Sequence, residues 1–352
     1  MIEQKSSNSK PSVTVVVPNY NHARYLPESL GSIAAQIRAP DCILVIDDAS
    51  TDDSIAVISR FISGRPTWKL IQLARNRGVV AVQNEALRAA DTDWIGFLGA
   101  DDALHPAYLE RTLAEAARFP DAGLICACSE IIGSSDARTL RPMMLPERRS
   151  ALLSPADVRN ILRTGDNYFS GNVSLYRRSA IEALGGFDEK LGSFSDAFLA
   201  RQLALTFGAF FIADILGYWR IHGHNYSMTT ATDPEALSEK LAEIRALIGR
   251  SELFPRGYAD LFERRTRFGA ARIVISGDAT SSAKANRAAA LLDVGESERR
   301  WLKLLLGLGD FGQIAALAWA TLRTHPMSLL RLLGQFQLRR AIIAARAAYR
   351  PA

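Results

Sequence analysis

Apolar, β-branched runs alternate with segments of helical period through the first half of the chain, a pattern that predicts a parallel sheet covered by helices. Strands are expected at 13–18, 42–47, 68–73, 93–98 and 123–128, with helices at 27–36, 53–62, 79–90 and 106–118. From 140 to 149 the periodicity gives way to Pro, Met and Arg, which reads as a surface loop or lid. The pattern resumes with a helix at 155–163, a strand at 170–177, a helix at 179–184 and the turn Gly185-Gly186. A helix at 196–207 and a strand at 209–213 follow, and beyond Tyr226 the chain reads almost wholly helical. The expected division is a disordered segment at 1–11, an α/β domain at 12–230 and a helical region at 231–352, with a soft boundary near 228–233.

A length of 352 residues suits one α/β domain plus a smaller appendage. With 48% hydrophobic and 22% charged residues, the chain is neither disordered nor fibrous. The net charge of +5 is too small to imply a nucleic-acid partner. Its distribution is uneven: positions 311–352 hold six arginines and no Asp or Glu, which points that tail toward an anionic surface. Cys42, Cys126 and Cys128 fall in apolar runs and are odd in number, which gives no disulfide framework and favours a reducing cytoplasm. Cys126-x-Cys128 lacks a second pair at zinc spacing and reads as core packing. A polar N-terminus and the lack of any apolar run of roughly 18 residues predict no signal peptide and no membrane crossing.

Ligands of open α/β sheets bind outside the carboxyl ends of the strands, and three polar clusters stand at such ends. They are Pro18-Asn-Tyr-Asn21, Asp47-Asp-Ala-Ser-Thr-Asp52 and Gly99-Ala-Asp-Asp102. The two acidic clusters are expected at adjacent strand ends facing one crevice, where a divalent cation would offset their repulsion. Asp101, directly after an apolar strand, is the expected cation ligand. Ser50, Thr51 and Asp52 either cap the following helix or serve as ligands.

The order Val-Val-Val-Pro-Asn-Tyr-Asn (15–21), Ile-Asp-Asp-Ala-Ser-Thr-Asp (46–52), Phe-Leu-Gly-Ala-Asp-Asp (97–102), Gly-Gly-Phe-Asp (185–188) and Tyr-Trp-Arg-Ile-His-Gly-His-Asn-Tyr-Ser (218–227) resembles glycosyltransferase family 2, over about residues 12–228. The resemblance implies the GT-A fold, a Rossmann-like, mixed and mostly parallel sheet flanked by helices, here with a C-terminal helical extension. It also implies transfer of a sugar from a nucleotide diphosphate donor to a hydroxyl acceptor, with inversion. By position, Tyr20 would stack on the donor's base and Asp48 would hydrogen-bond to it, with Pro18 and Asn19 in the same pocket. Asp101 matches the last acid of the family's Asp-x-Asp motif, which binds Mn²⁺ or Mg²⁺ on the diphosphate. Asp102 would contact the metal, its waters or the donor sugar. Asp196 stands where the family places its catalytic base, the alternative being a helix N-cap. Arg220 would offset phosphate charge, and His222 would touch the diphosphate or metal or else be a packed histidine. Trp219 is expected in the core, and Asn172 on the acceptor side.

The chain departs from the family pattern in places. Gly99 stands where many relatives carry the first acid of Asp-x-Asp, Ser195 where a Glu often precedes the base, and Gln83 where an arginine is frequent. The Gln-x-x-Arg-Trp motif of processive synthases is missing, so one sugar per encounter is expected. The implied donor is a UDP-sugar and the acceptor a saccharide or lipid-linked group of a cell-surface polysaccharide or glycolipid. A non-catalytic nucleotide-sugar-binding or membrane-scaffold protein of the same fold is the alternative. Nucleotidyl transfer would call for a Gly-rich basic loop after the first strand, and a dinucleotide oxidoreductase for Gly-x-Gly-x-x-Gly there. Arginines 323, 331, 339, 340 and 346 interrupt the apolar tail. They suit either basic amphipathic helices on the inner face of the cell membrane or a subdomain packed on the core or on the partner of a homodimer.

Overall fold

The structure, a computed structural model, describes residues 10–132, 139–140, 145–147, 149–163, 169, 171–222, 231–277, 279–324, 334 and 340. Strand β1 (Val13–Asn19) is apolar on both faces because both are covered, and Val13, Val15, Val16 and Val17 are essentially inaccessible. It pairs in parallel with β2 (Cys42–Asp47) on one side and β4 (Trp94–Phe97) on the other, and β2 pairs with β3 (Trp68–Gln72). Helices α1 (Leu26–Ala34), α2 (Ser54–Ile62) and α3 (Val79–Ala89) connect these strands. The second half contributes β5 (Ala103–Leu104), α4 (Tyr108–Arg118), β6 (Leu124–Ile132), β7 (Thr139–Leu140) and β8 (Ala151–Leu153). It continues with α5 (Pro155–Leu162), β9 (Ser174–Arg177), α6 (Arg178–Ala183), α7 (Ser195–Phe207) and β10 (Ala209–Arg220). The sheet runs β3-β2-β1-β4-β9-β6-β10-β5. β9 is antiparallel to both neighbours, β6 and β10 are parallel, and β5 is antiparallel to β10.

Side chains of a strand alternate between faces, and two apolar clusters follow. One holds Val16, Leu44, Ile46, Leu124, Cys126 and Cys128; the other holds Val15, Val17, Ile43, Val45, Ile125 and Ala127. Cys126 and Cys128 are fully buried, unbridged core residues.

Three features differ from expectation. β10 does not end at 213 but runs to Arg220, crossing two register shifts against β6. Asp214 reads as a strand end, yet its carboxylate accepts a charged hydrogen bond from Arg111 at 2.7 Å at an exposed point of the same strand. Trp219 consequently lies half-buried on the strand's extension and belongs to neither core cluster. The acidic clusters are not on adjacent strands, because β1 lies between β2 and β4.

Helices α8 (Pro234–Gly249), α9 (Tyr258–Ser276), α10 (Ser281–Leu292), α11 (Glu296–Leu306) and α12 (Gly309–Thr324) follow. Asp233 caps α8 by accepting from the N–H groups of Glu235 and Ala236, with Pro234 at the first helical position. These helices join the α/β core through α7, where Phe198 stacks on Phe254 and Phe254 on Tyr258, at 5.4 and 5.3 Å between centroids. Among the described residues no helix is long and apolar enough to cross a membrane. Positions 141–144 and 148 of the expected loop at 140–149 fall outside the described residues, and Leu145 is buried in the core. Arginines 331, 339 and 346 and the motif residues 223–227 also lie outside them, as do positions 1–9. Arg323 pairs with Glu298 at 3.1 Å.

Two glycines make the packing testable with opposite signs. A Cβ on Gly123 would lie 2.8 Å from the Leu203 carbonyl oxygen of α7, which is backbone and cannot rotate away. One on Gly249 would meet nothing within 4 Å. Gly123→Ala should therefore cost about 1–3 kcal/mol, and Gly249→Ala should gain about 0.4–1 kcal/mol, both read by denaturant unfolding.

Candidate active site at the carboxyl ends of β1, β4 and β10

The loops after β1 and β2 lock together. Asn21 (φ 57°) and Ala49 (φ 62°) adopt left-handed backbone, which lets both chains reverse sharply. Asp47 accepts from the Asn19 side-chain amide at 2.7 Å, the Ser50 hydroxyl at 2.6 Å and the Ser50 N–H at 2.9 Å. Asn21 Oδ1 accepts from Thr51 N–H at 2.7 Å. Asp52 accepts from the N–H groups of Ala23 and Ser54, at 2.9 and 3.0 Å. Burial pushes the Asp52 carboxyl up, but these hydrogen bonds outweigh it and hold the group below its ordinary range. Asp48, nearly buried, accepts from Arg77 N–H at 2.7 Å and Gly78 N–H at 2.8 Å. Backbone and side-chain donors thus meet the carboxylates of the Asp47–Asp52 cluster. Pro18 is half-buried in β1, Asn19 is buried with its amide turned to Asp47, and Tyr20 is 44% exposed, leaving its ring open to a stacking partner.

The acids after β4 have other partners. A Cβ on Gly99 would lie 2.8 Å from Asp101 Oδ1 and 3.3 Å from Asp102 Oδ2, so the missing side chain lets both carboxylates fold back over the turn. Asp102 Oδ1 accepts from Arg220 N–H at 2.9 Å, and Arg220 Nε donates to the Asp101 carbonyl at 2.9 Å. The same guanidinium pairs with Glu28, in the first turn of α1, and lies 5.3 Å above the Tyr25 ring. Arg220 is accordingly a brace between α1, the acid loop and β10. His222 Nε2 sits 2.9 Å from Asp101 Oδ2, and its ring stacks on Tyr25 at 5.2 Å. His22 approaches from the β1–α1 loop with its ring edge-on to His222, at 6.0 Å between centroids. One ligand atom from each of His22, Asp101 and His222 lies within 4.8 Å of the others, which makes this the described group that could hold a metal ion. The His22 imidazole is held below its usual pKa chiefly by burial, with Asp101 opposing and His222 reinforcing the effect.

On the other side of β4 the chain prepares a second wall. Asn172, buried, donates to Ser129 Oγ and to the Tyr218 carbonyl, both at 3.2 Å, and so ties the β9 entry to β6 and β10. Asp196, in the first turn of α7, accepts from Ala197 N–H at 2.6 Å through Oδ1. A Cβ on Gly171 would stand 2.8 Å from Asp196 Oδ2, so this carboxylate rests over a glycine. Upstream, Asn84 brackets Phe187 of Gly-Gly-Phe-Asp with two bonds of 2.9 Å, one to its carbonyl and one from its N–H. A depression of about 440 Å³ lined by Asn84, Gly185, Phe187, Asp188 and Ser195 adjoins this bracket and contains none of the three cation-group residues. Sequence reasoning passed over His22, Glu28 and Asn84; only His22 carried a signal, its place directly after Pro18-Asn-Tyr-Asn21.

Residues 14–185 match the family model of glycosyl transferase family 2. The chain is also 30% identical over 254 residues, 71% of its length and 69% of the relative's, to the succinoglycan biosynthesis protein ExoO of Rhizobium meliloti. The chain belongs to glycosyl transferase family 2. This glycosyltransferase is likewise 29% identical over 231 residues, 62% of its length and 68% of the relative's, to the O-antigen chain rhamnosyltransferase WbaN of Salmonella anatum. Its GT-A fold is shared with residues 1–349 of S. aureus TarS in complex with UDP-GlcNAc, at TM-score 0.60, 18% identity and coverage of 96% and 93% of the two chains. The mannosyltransferase PcManGT of Pyrobaculum calidifontis, in complex with GDP-Man and Mn²⁺, aligns at TM-score 0.55 and 21% identity, over 90% and 88%.

Asp48 supplies a stability test independent of turnover. Asp48→Ala takes the buried, charged acceptor from the Arg77 N–H and leaves Gly78 N–H with Asn76 Oδ1 alone. A loss of about 1–3 kcal/mol in unfolding free energy is expected, appearing as a lower thermal midpoint.

Proposed function

We propose that this glycosyltransferase moves a sugar from a UDP-sugar to an acceptor hydroxyl with inversion, one sugar per encounter, in building a cell-surface polysaccharide or glycolipid. The observation that carries the reading is that Asp101 meets His222 through its carboxylate and Arg220 through its backbone carbonyl, which gathers the ends of β4 and β10 around one acidic turn. The names of ExoO and WbaN support the polysaccharide setting, the TarS and PcManGT complexes support a nucleotide-diphosphate sugar as donor, and the TarS complex is the one that holds a uridine nucleotide.

In this reading Tyr20 stacks on the base, Asp48 receives its N–H, and Pro18 and Asn19 shape the pocket floor. Asp101 and His222 hold Mn²⁺ or Mg²⁺, and the closeness of their ligand atoms supports the fit. A cation there stabilises negative charge on the departing diphosphate by several kcal/mol. Asp102, oriented by the Arg220 N–H, contacts the donor sugar, and Arg220 meets the diphosphate by exchanging Glu28 for phosphate oxygens. Asp196 takes the proton of the acceptor hydroxyl as the oxygen attacks the anomeric carbon from the face opposite the leaving group. Asn172 holds the acceptor side through the backbone it braces. The unit at 12–230 is the catalytic domain, and the helices from 231 onward seat the enzyme peripherally on the inner face of the membrane. Exposed Trp301, Leu304, Leu308 and Phe311 beside Arg300 and Lys303 support that contact with anionic lipid.

Purified enzyme should be stabilised by UDP with Mn²⁺ in a thermal-shift assay, and less by GDP. Asp196→Ala should lower kcat about 10²- to 10⁴-fold while UDP affinity holds. Gly171→Ala, which drives a methyl into the Asp196 carboxylate, should lower kcat in the same direction. Wild-type turnover in both Asp101→Ala and Asp196→Ala would overturn the assignment.

A further inference from the structure

We propose that His22 is a third protein ligand of the cation, so that this chain grips its metal with two imidazoles and one carboxylate in place of paired acids. The inference rests on the metal-dependent reading of Asp101 and His222 above.

His22 is delivered by a stiff frame. Asn21 turns the chain with φ 57° while its side chain is pinned by Thr51 N–H at 2.7 Å. The His22 carbonyl then accepts from the N–H groups of Tyr25 and Leu26 at 2.9 and 3.2 Å, which starts α1 and fixes the Cα from which the ring projects. Tyr25 packs beside both histidines, 6.1 Å from His22 and 5.2 Å from His222 between ring centroids. Asp101 Oδ2 already meets His222, and the His22 ligand atom lies within 4.8 Å of both. Donors about 2.0–2.2 Å from one ion stand roughly 3 Å apart when adjacent and about 4.4 Å when opposite. Small rotations of the rings close the set around a cation.

Gly99 explains why a third ligand is called for. The first acid of the motif is missing, and Asp102 Oδ1 is committed to the Arg220 N–H, so Asp101 is the acid that faces the imidazoles. An acid at position 99 would crowd the Asp101 carboxylate, which a bare Cβ already approaches to 2.8 Å. Two neutral imidazoles and one carboxylate leave a divalent ion with one net positive charge, whereas two carboxylates would leave none. The residual charge favours the anionic diphosphate. Imidazole also suits transition ions better than magnesium, so the site should prefer Mn²⁺ or Co²⁺ to Mg²⁺.

The test is Mn²⁺ binding by the full chain, with and without UDP, followed by titration and by electron spin-echo spectroscopy. The wild type should show nitrogen coupling from two imidazoles and should bind Mn²⁺ at least tenfold more tightly than Mg²⁺. His22→Ala should leave one coupled nitrogen and weaken Mn²⁺ about tenfold or more, while the metal-free chain still unfolds cooperatively, because the His22 backbone and not its ring starts α1. His22→Gln, closer in volume, gives the same reading if the alanine variant unfolds. Two coupled nitrogens, or Mn²⁺ affinity within twofold of wild type, in these variants would overturn the role of His22. Asp101→Ala separates the two levels. If it also binds Mn²⁺ normally, the metal reading itself fails; if it alone loses Mn²⁺, only the His22 inference fails.

Discussion

The hydrogen bonds from Arg220 to the acid turn after β4 are the contacts on which the rest of the site depends. They tie the last residues of β10 to the acid turn, beyond a pairing with β6 that shifts register twice on the way. The Arg220 N–H to Asp102 and Nε to the Asp101 carbonyl join elements 118 and 119 positions apart, and the ion pair with Glu28 adds α1. The two-residue strand β5 extends the same junction, pairing Ala103 and Leu104 with Tyr218 and Gly217. His222 follows directly, so its imidazole reaches Asp101 because the strand before it is tied down. Hydrogen bonds to charged groups each contribute about 1.5–3 kcal/mol, enough together to hold a short strand extension in place.

Glycine sets how close the carboxylates come. At Gly99 and Gly171 a Cβ would stand 2.8 Å from an oxygen of Asp101 and of Asp196 respectively. The same rule operates at Gly217, where a Cβ would lie 2.3 Å from Val173 Cγ1. The first two positions govern where negative charge sits, the third how tightly β10 passes the short helical turn that carries Asn172. Packing and electrostatics are therefore decided by the same missing atoms.

Much of this was legible in the chain. Buried parallel strands have no polar face, so β1, β2 and β4 stand out as unbroken apolar runs, and the polar residues after them mark the crevice. The short strand β5 offers too few residues for any period, and the extension of β10 is hidden by Asp214 and Gly217, both of which read locally as terminators. Asp214 is answered by Arg111 from another helix, and Gly217 by the crowding of Val173; neither partner is near in sequence. The hydrogen-bond partners of the Asp47 cluster are hidden for a related reason. Its charges are met by backbone N–H groups and by Asn19, and loop N–H directions do not appear in a residue string. His22 and His222 lie 200 positions apart in the chain, so their meeting exists only once β1 and β10 share a sheet.

The reversed strand β9 then explains how one sheet can present two reactants. On one side of it, β3-β2-β1-β4 ends in Tyr20, Asp48 and Asp101; on the other, β6 and β10 lead to Asn172 and the start of α7. A chain that merely alternated strand and helix in parallel would set every loop along one crevice, and a donor and an acceptor would compete for it. Because β9 runs against its neighbours, the segment before it, with Gly171 and Asn172, approaches the crevice from the second half of the sheet. β10 then returns parallel to β6 and carries Arg220 and His222 back to the acids of the first half. The group of His22, Asp101 and His222 thus sits on the seam between the halves.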